Sequence, residues 1–306
     1  MTNMNDSAVS IPPARDRALR YFSRLRQLDV LVLQGSPLLG AVFALRHPRM
    51  QDLAPLATLV GANLLLVAHI FMLNDWSGAA SDLADHHRAA GVFTARGIGR
   101  KEMGGLTAGL LLLSLALFSR LGLLTLGLAL AIALLSALYS LPRFNWKGRP
   151  ILNSVTHLAG GTLHFLLGYS LGEAVDPRGT AIAIFFALIF AAGHLTQEIR
   201  DHQADAVNGI RTNAVAFGPR CTFAASLVLF ALAHVLLLVL ALQGILPRPL
   251  AATVALFPLQ LYWSVEALRD GLTFASVCRL QTRYRALYAL VGLAMVAAVV
   301  GGPKGE

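Results

Sequence analysis

Acidic residues are sparse in this chain, 16 among 306, and they gather in two short windows. Asp75, Asp82 and Asp85 form the first; Glu198, Asp201 and Asp205 form the second. Their spacing puts Glu198, Asp201 and Asp205 on one helix face, and Asp75 and Asp82 on another. Like charges on a shared face repel, and a helix C-terminus disfavours anions further, so both clusters call for a cation. One reading is local: two solvated loops whose acids pair with Arg88, Arg200 or Arg211. The other is hard-cation coordination, in which the carboxylates and Asn74 suit Mg²⁺, an ion that keeps waters and bridges to substrate phosphates. Two such clusters facing each other across a helical bundle would hold two Mg²⁺ ions with a diphosphate between them, stabilising charge on the leaving group. Arg88, Arg96, Lys147, Arg200 and Arg211 lie in the same windows or nearby loops and offer direct phosphate contacts.

The elements that must position these groups are apolar. The chain is 56% hydrophobic and 13% charged, against roughly 25% charged in a soluble domain, and its mean hydropathy is +0.63. That composition excludes a disordered chain, a nucleic-acid-binding tail and almost any soluble enzyme of this length. Cys221 and Cys278 are too few and too far apart for a disulfide framework or a cysteine-type zinc site. The expected fold is all-α: a polytopic membrane protein of about nine spans in a bundle around a central cavity. The spans are expected near 28–46, 53–73, 104–120, 122–140, 151–172, 180–199, 220–243, 249–268 and 284–301. Residues 1–306 read as one domain preceded by a basic leader, 1–27, whose Arg15, Arg17, Arg20, Arg24 and Arg26 leave no apolar core for a cleavable signal. With that leader cytoplasmic, the Lys and Arg residues divide roughly three to one in favour of the cytoplasmic side. The expected location is the cell (inner) membrane, multi-pass, with the N-terminus inside and both acidic windows at cytoplasmic helix ends. The net charge of +9 then belongs to topology, and no nucleic-acid partner is expected.

An apolar cavity with a diphosphate site at its rim describes an amphiphilic substrate, and an isoprenoid diphosphate fits. Ionising its allylic C–O bond gives a carbocation, which requires exclusion of water and an apolar or aromatic lining. Phe165, Tyr169, Phe185, Phe186 and Phe190 are candidates for that lining, or for plain packing. His69, His157, His164 and His194 lie within or at the ends of spans; helix–helix hydrogen bonding and proton handling both suit them. Asn63, Asn153 and Gln197 read the same way, with Asn153 and Gln197 favoured as cavity-lining. His202 with Glu198 is the pair with metal-ligand spacing considered there. Gly160, Gly161 and Gly168 allow close helix contact.

The stretch Asn74-Asp75-Trp76-Ser77-Gly78-Ala79-Ala80-Ser81-Asp82 resembles the first aspartate-rich motif, NDxxDxxxD, of the UbiA superfamily of intramembrane prenyltransferases. The stretch from Glu198 to Gly218 resembles the second, DxxxD, with its Gly-x-Arg-Thr continuation at Gly209-Ile210-Arg211-Thr212. Between them, Tyr139-Ser140-Leu141-Pro142 and Lys147-Gly148-Arg149-Pro150 are similar to the loop after that family's fourth helix. The resemblance implies Mg²⁺-dependent binding of a prenyl diphosphate and transfer of the prenyl group to a lipophilic, often aromatic, acceptor among membrane lipids. By position, Asn74, Asp75 and Asp82 would belong to one metal cluster and Asp201 and Asp205 to the other, with Glu198 where some members carry another acid. Asp75, Asp82, Asp201 and Asp205 would carry the catalysis; Asn74, Arg88, Lys147, Asn153, Gln197, Arg200 and Arg211 would bind substrate. Two departures stand out. Gly78 replaces the middle aspartate, and the family's arginine-rich run after the first motif is reduced to His86-His87-Arg88. A weakened donor site and a reshaped one with room for a bulkier group are both consistent with these changes. Rival readings are a UbiA-type intramembrane terpene cyclase acting on the same donor, and a non-catalytic lipid binder or transporter.

Overall fold

The computed structural model describes residues 27–84, 89, 92–172 and 174–302, and their secondary structure is helical, with no strand among the described residues. In chain order the α-helices are α1 (Gln27–Val32), α2 (Gly35–Leu45), α3 (Leu53–Ala84), α4 (Arg100–Phe118), α5 (Leu123–Ser140) and α6 (Leu152–Tyr169). They continue with α7 (Pro177–Val207), α8 (Asn213–Phe217), α9 (Pro219–Leu242), α10 (Phe257–Arg269) and α11 (Phe274–Val300). The basic leader and Asp85, His86, His87 and Arg88 lie outside the described residues.

Six helical segments are long and apolar enough to cross a membrane: Met50–Ala80, Arg100–Phe118, Leu123–Ser140, Pro177–Val207, Pro219–Leu242 and Phe274–Val300. Nine were expected. Three expected spans do not meet those limits, each for a local reason. The first is broken at Leu33–Gln34 because Pro37 offers no N–H to the carbonyl one turn back and crowds it; α2 is left with 11 residues. α6 is 18 residues long but carries Asn153, His157 and His164, which lower its apolarity. The eighth begins in 3₁₀ form over Arg248–Leu256 and becomes α-helical only at Phe257, with Pro258 in the first turn, so α10 has 13 residues.

Asp75 and Asp82 of the first window and Glu198, Asp201 and Asp205 of the second all lie within helices, near their C-terminal ends. α3 continues unbroken through Asp82, and α7 through Asp205. α7 is bounded by strong local signals. Asp176 caps its start, the carboxylate accepting from Gly179 N–H at 2.6 Å with Pro177 in the first turn. Its end is closed by Gly209 at φ +67°. Ile210 N–H donates to Asp205 O and Gly209 N–H to Ala206 O, the paired bonds of a glycine-terminated helix. The Gly after the second motif is therefore a stop signal, and it fixes where that motif's helix face ends.

Packing arranges these helices in sequence around the bundle. α3 packs on α4 and α5, α5 on α6, and α6 on α2 and α7; α7 packs in turn on α9. Glycines make the α6 contacts close: a Cβ on Gly161 would lie 2.8 Å from Ala187 Cα of α7, and one on Gly168 would collide with the Pro37 carbonyl of α2. Phe165, Tyr169 and Phe185 are buried in the core of this half, so these three lining candidates serve packing. The acidic helices α3 and α7 are not packed together in the same way; α5 and α6 stand between them.

Candidate functional site

The second motif is built around one buried carboxylate. Glu198 is 3% exposed, and its Oε1 accepts from Asn153 Nδ2 at 2.7 Å, Asn213 Nδ2 at 2.9 Å and His194 Nε2 at 3.1 Å. Its Oε2 accepts from Ala214 N–H at 3.2 Å. Expected as a metal ligand, Glu198 thus has both oxygens engaged by the chain itself. Asn153 also donates to the Lys147 carbonyl at 3.1 Å, so both its amide hydrogens serve the fold and its Oδ1 lies buried without a partner. Asn213 accepts from Ile151 N–H at 2.7 Å and donates to Ser154 Oγ at 3.1 Å. One carboxylate thereby ties α6, α7, α8 and the 3₁₀ turn Trp146–Gly148 together.

The same network holds a strained turn. Ile151 has φ +66° and ψ −55°, and Leu152 N–H donates to Pro150 O at 2.7 Å, a γ-turn that a β-branched residue adopts only at a cost. Such strain persists where surrounding contacts over-determine it, and the bond to Asn213 is one of them.

Further along α7, Arg200 clasps Asp201 through Nε at 2.8 Å and Nη2 at 2.9 Å. Its Nη1 donates to Gln281 Oε1 of α11 at 3.2 Å. The Arg200 guanidinium, expected on phosphate, is committed to Asp201 and α11. Asp205 is 5% exposed, Asp201 and Gln197 are half-buried, and Arg211 is exposed in the turn before α8. Lys147 is half-buried.

The first motif is held differently. Asn74, Asp75 and Asp82 are half-buried on the last turns of α3. Trp76 Nε1 donates to Arg100 O at 3.0 Å, and the Arg100 guanidinium lies 4.6 Å from the Trp76 ring. Beneath them Met72 and Ala79 pack with Val92, Phe93, Ile98 and Met103. One turn deeper, His69 bonds the Thr107 carbonyl at 2.9 Å, helix-to-helix use of a histidine. His164 and Asn63 do the same across α6 and α3 at 2.9 Å. Gly78 faces Asp82: a Cβ there would meet Asp82 Oδ2 at 3.6 Å and, among the described residues, nothing else within 4 Å.

The expected ligands therefore form two oxygen-rich half-sites on two helices. Among the described residues no three His, Cys, Asp or Glu groups are gathered closely enough to hold an ion. A surface hollow of about 370 Å³ lies by Phe217, Cys221 and Leu272, and none of the expected ligands lines it. Sequence reasoning paired Glu198 with His202; the structure pairs it with His194, one turn the other way, and the i−4 spacing was an equally available signal.

Long apolar helices carrying two acidic faces describe a multi-pass membrane protein. A model of the UbiA prenyltransferase family matches residues 35–275, and the chain belongs to that family. Its fold is similar to that of a digeranylgeranylglyceryl phosphate synthase, at 16% identity and TM-score 0.71 over 94% of this chain and 100% of that one. It is similar also to a UbiA homolog from Archaeoglobus fulgidus bound to GPP and Mg²⁺, at 20% identity and TM-score 0.71 over 92% and 100%. Another structure of a UbiA homolog from that organism matches at 18% identity and TM-score 0.72, over 92% and 100%. No curated protein matches in sequence.

Proposed function

We propose that this chain is a Mg²⁺-dependent intramembrane prenyltransferase that moves a prenyl group from a prenyl diphosphate to a lipophilic or aromatic acceptor. The observation that carries the reading is the placement of Asn74, Asp75 and Asp82 on α3 and of Asp201 and Asp205 on α7, with two further helices between them. The donor set fits the metal: it is all oxygen, and Mg²⁺ binds through one or two carboxylates plus substrate phosphates. Bound there, Mg²⁺ would neutralise the charge that develops on the departing diphosphate. Asn74, Asp75 and Asp82 would hold it on one side and Asp201 and Asp205 on the other. Glu198 serves as a positioning residue, because its oxygens already take four donors of the chain.

The chain's own groups then divide the work. Lys147 and Arg211 sit on the two turns that the Glu198 network ties together, and they bind the diphosphate with Arg88. Arg200 holds Asp201 in a fixed orientation. Gln197 faces the donor site. The apolar helices exclude water from the allylic cation.

We infer that residues 1–306 act as one domain in the cell membrane with the N-terminus cytoplasmic. A reporter fused after Glu306 should read as extracytoplasmic; a cytoplasmic signal refutes that topology. The reaction is tested by incubating purified protein with Mg²⁺ and prenyl diphosphates of several lengths, with and without phenolic acceptors. Acceptor-dependent release of diphosphate supports transfer, and failure to bind any donor overturns it. The glycine at position 78, which thins the first motif, favours keeping the terpene cyclase as a second reading, and cyclic hydrocarbon formed without acceptor identifies it.

A further inference from the structure

At the junction of α5, α6 and α7, on the elements between the acidic helices, lies a ring cluster that neither motif accounts for. His157 of α6 and His194 of α7 stack face to face, their centroids 3.3 Å apart and their planes within 9°. Tyr139, the last tyrosine of α5, stands edge-on to both at 5.2 Å and 6.3 Å. His194 also bonds Glu198 at 3.1 Å, which places the cluster beside the second motif. Phe190 covers His157 at 5.5 Å and is itself 37% exposed.

The partners fix the tautomers. His157 Nδ1 lies 2.9 Å from the Asn153 carbonyl. That oxygen can only accept, so Nδ1 carries the hydrogen and Nε2 of the neutral ring carries a lone pair. His194 Nε2 lies 3.1 Å from Glu198 Oε1, so its hydrogen is on the carboxylate side and the ring is held in place. Among the described residues no protein group bonds His157 Nε2, and that nitrogen is not one of the sealed, unpartnered atoms of the interior. It is a base of fixed direction beside Phe190, on a ring stacked against the histidine that bonds Glu198 of the second motif.

Resting on the prenyl-transfer reading above, we propose that His157 Nε2 takes the proton the acceptor releases during transfer. The acceptor is thereby a molecule whose reacting C–H or O–H gives up a proton: an electron-rich ring or a hydroxyl. The C1–O bond of the donor breaks and its electron pair leaves with the diphosphate. The acceptor's ring carbon or oxygen forms the new bond to C1, and its proton passes to His157 as an imidazolium. Tyr139 and Phe190 keep water from the cation while this happens.

The test uses the full-length protein in detergent with Mg²⁺ and geranyl diphosphate, 4-hydroxybenzoate as ring acceptor and 1-octylglycerol as hydroxyl acceptor. His157→Ala leaves a ring-sized space and His157→Phe fills it while keeping the stack. Both should lose about a hundredfold or more in kcat with whichever acceptor the wild type uses. The KM for geranyl diphosphate and its Mg²⁺-dependent binding should stay within about twofold, since ground-state donor binding does not involve this residue. Added imidazole should restore rate to His157→Ala and not to His157→Phe. Should His157→Ala fail to bind donor through misfolding, His157→Phe decides. Wild-type kcat in a folded variant, or a loss confined to donor binding, overturns the proposal. So does a wild type that binds geranyl diphosphate with Mg²⁺ yet transfers to neither acceptor, which leaves the donor reading standing. A wild type that does not bind donor at all overturns both.

Discussion

The ends of α3 and α7 carry the same kind of chemistry and are supported in different ways. On α7 the acids stand on a scaffold of polar bonds. Glu198 gathers four donors from α6, α7 and α8, Asn213 pins a strained turn at Ile151, and Arg200 clasps Asp201 while reaching α11. On α3, among the described residues, the helix that carries Asn74, Asp75 and Asp82 packs through Met72 and Ala79 on Met103 and its neighbours and through Trp76 on Arg100, while Asp75 and Asp82 have partners of their own. A network of buried, satisfied polar groups has one good geometry, whereas apolar contact tolerates several. The α7 half-site is thus pre-organised by the Glu198 network. The family motif also differs between the two: Asp201 and Asp205 keep the second, whereas Gly78 stands where the first carries its middle acid.

That contrast predicts unequal sensitivity to mutation. Asp201→Ala and Asp205→Ala should each lower turnover by roughly a hundredfold or more, several kcal/mol of transition-state stabilisation, while the protein still extracts and folds in detergent. Wild-type rates in both variants would mean that the cluster is a solvated surface. Glu198→Ala should act through structure. It strands the donors of Asn153, Asn213, His194 and Ala214, at about 3 kcal/mol of stability in total, read as a lowered thermal midpoint. If Glu198 were instead a metal ligand, the half-maximal Mg²⁺ concentration would rise in Glu198→Gln without loss of stability. Trp76→Ala, beside the first motif, removes one hydrogen bond and one cation–π contact, about 1–2 kcal/mol. Its effect on rate should be smaller than that of Glu198→Ala; an equal or larger one would contradict the contrast.

Much of this was legible from spacing. The two acidic windows, the tight α4–α5 hairpin and the glycine contacts of α6 all follow from residue types at helical intervals, because those signals act within one helix or one turn. What was not legible depends on which helices become neighbours. Asn153 and Gln197 read alike as polar groups on apolar spans, yet Asn153 is spent on Glu198 and Lys147. His157 and His164 share a face by their spacing, but one meets His194 and the other Asn63. Span lengths failed for a third reason: Pro37 and Pro258, which lack an N–H for the carbonyl one turn back, lie inside runs whose hydropathy looks continuous.

The smallest effect, and the one that sharpens the contrast most, belongs to Gly78→Asp. Sequence alone left two outcomes open: a restored ligand, or a carboxylate intruding on space that a reshaped donor site needs. Among the described residues a Cβ at position 78 would meet only Asp82 Oδ2, at an ordinary 3.6 Å. The new side chain would therefore rise beside Asp82 one turn away on the same helix face. Without metal the two carboxylates repel by a few tenths of a kcal/mol, about what replacing a helical glycine returns, so stability should hardly change. With Mg²⁺ the added oxygen ligand should lower the concentration for half-maximal activity several-fold, because affinity rises with ligand charge and number. A Mg²⁺ titration of activity in both proteins measures it. Lower turnover at saturating Mg²⁺, with donor binding weakened, would instead show that the substrate occupies the room Gly78 leaves, and that the α3 half-site is adapted rather than merely depleted.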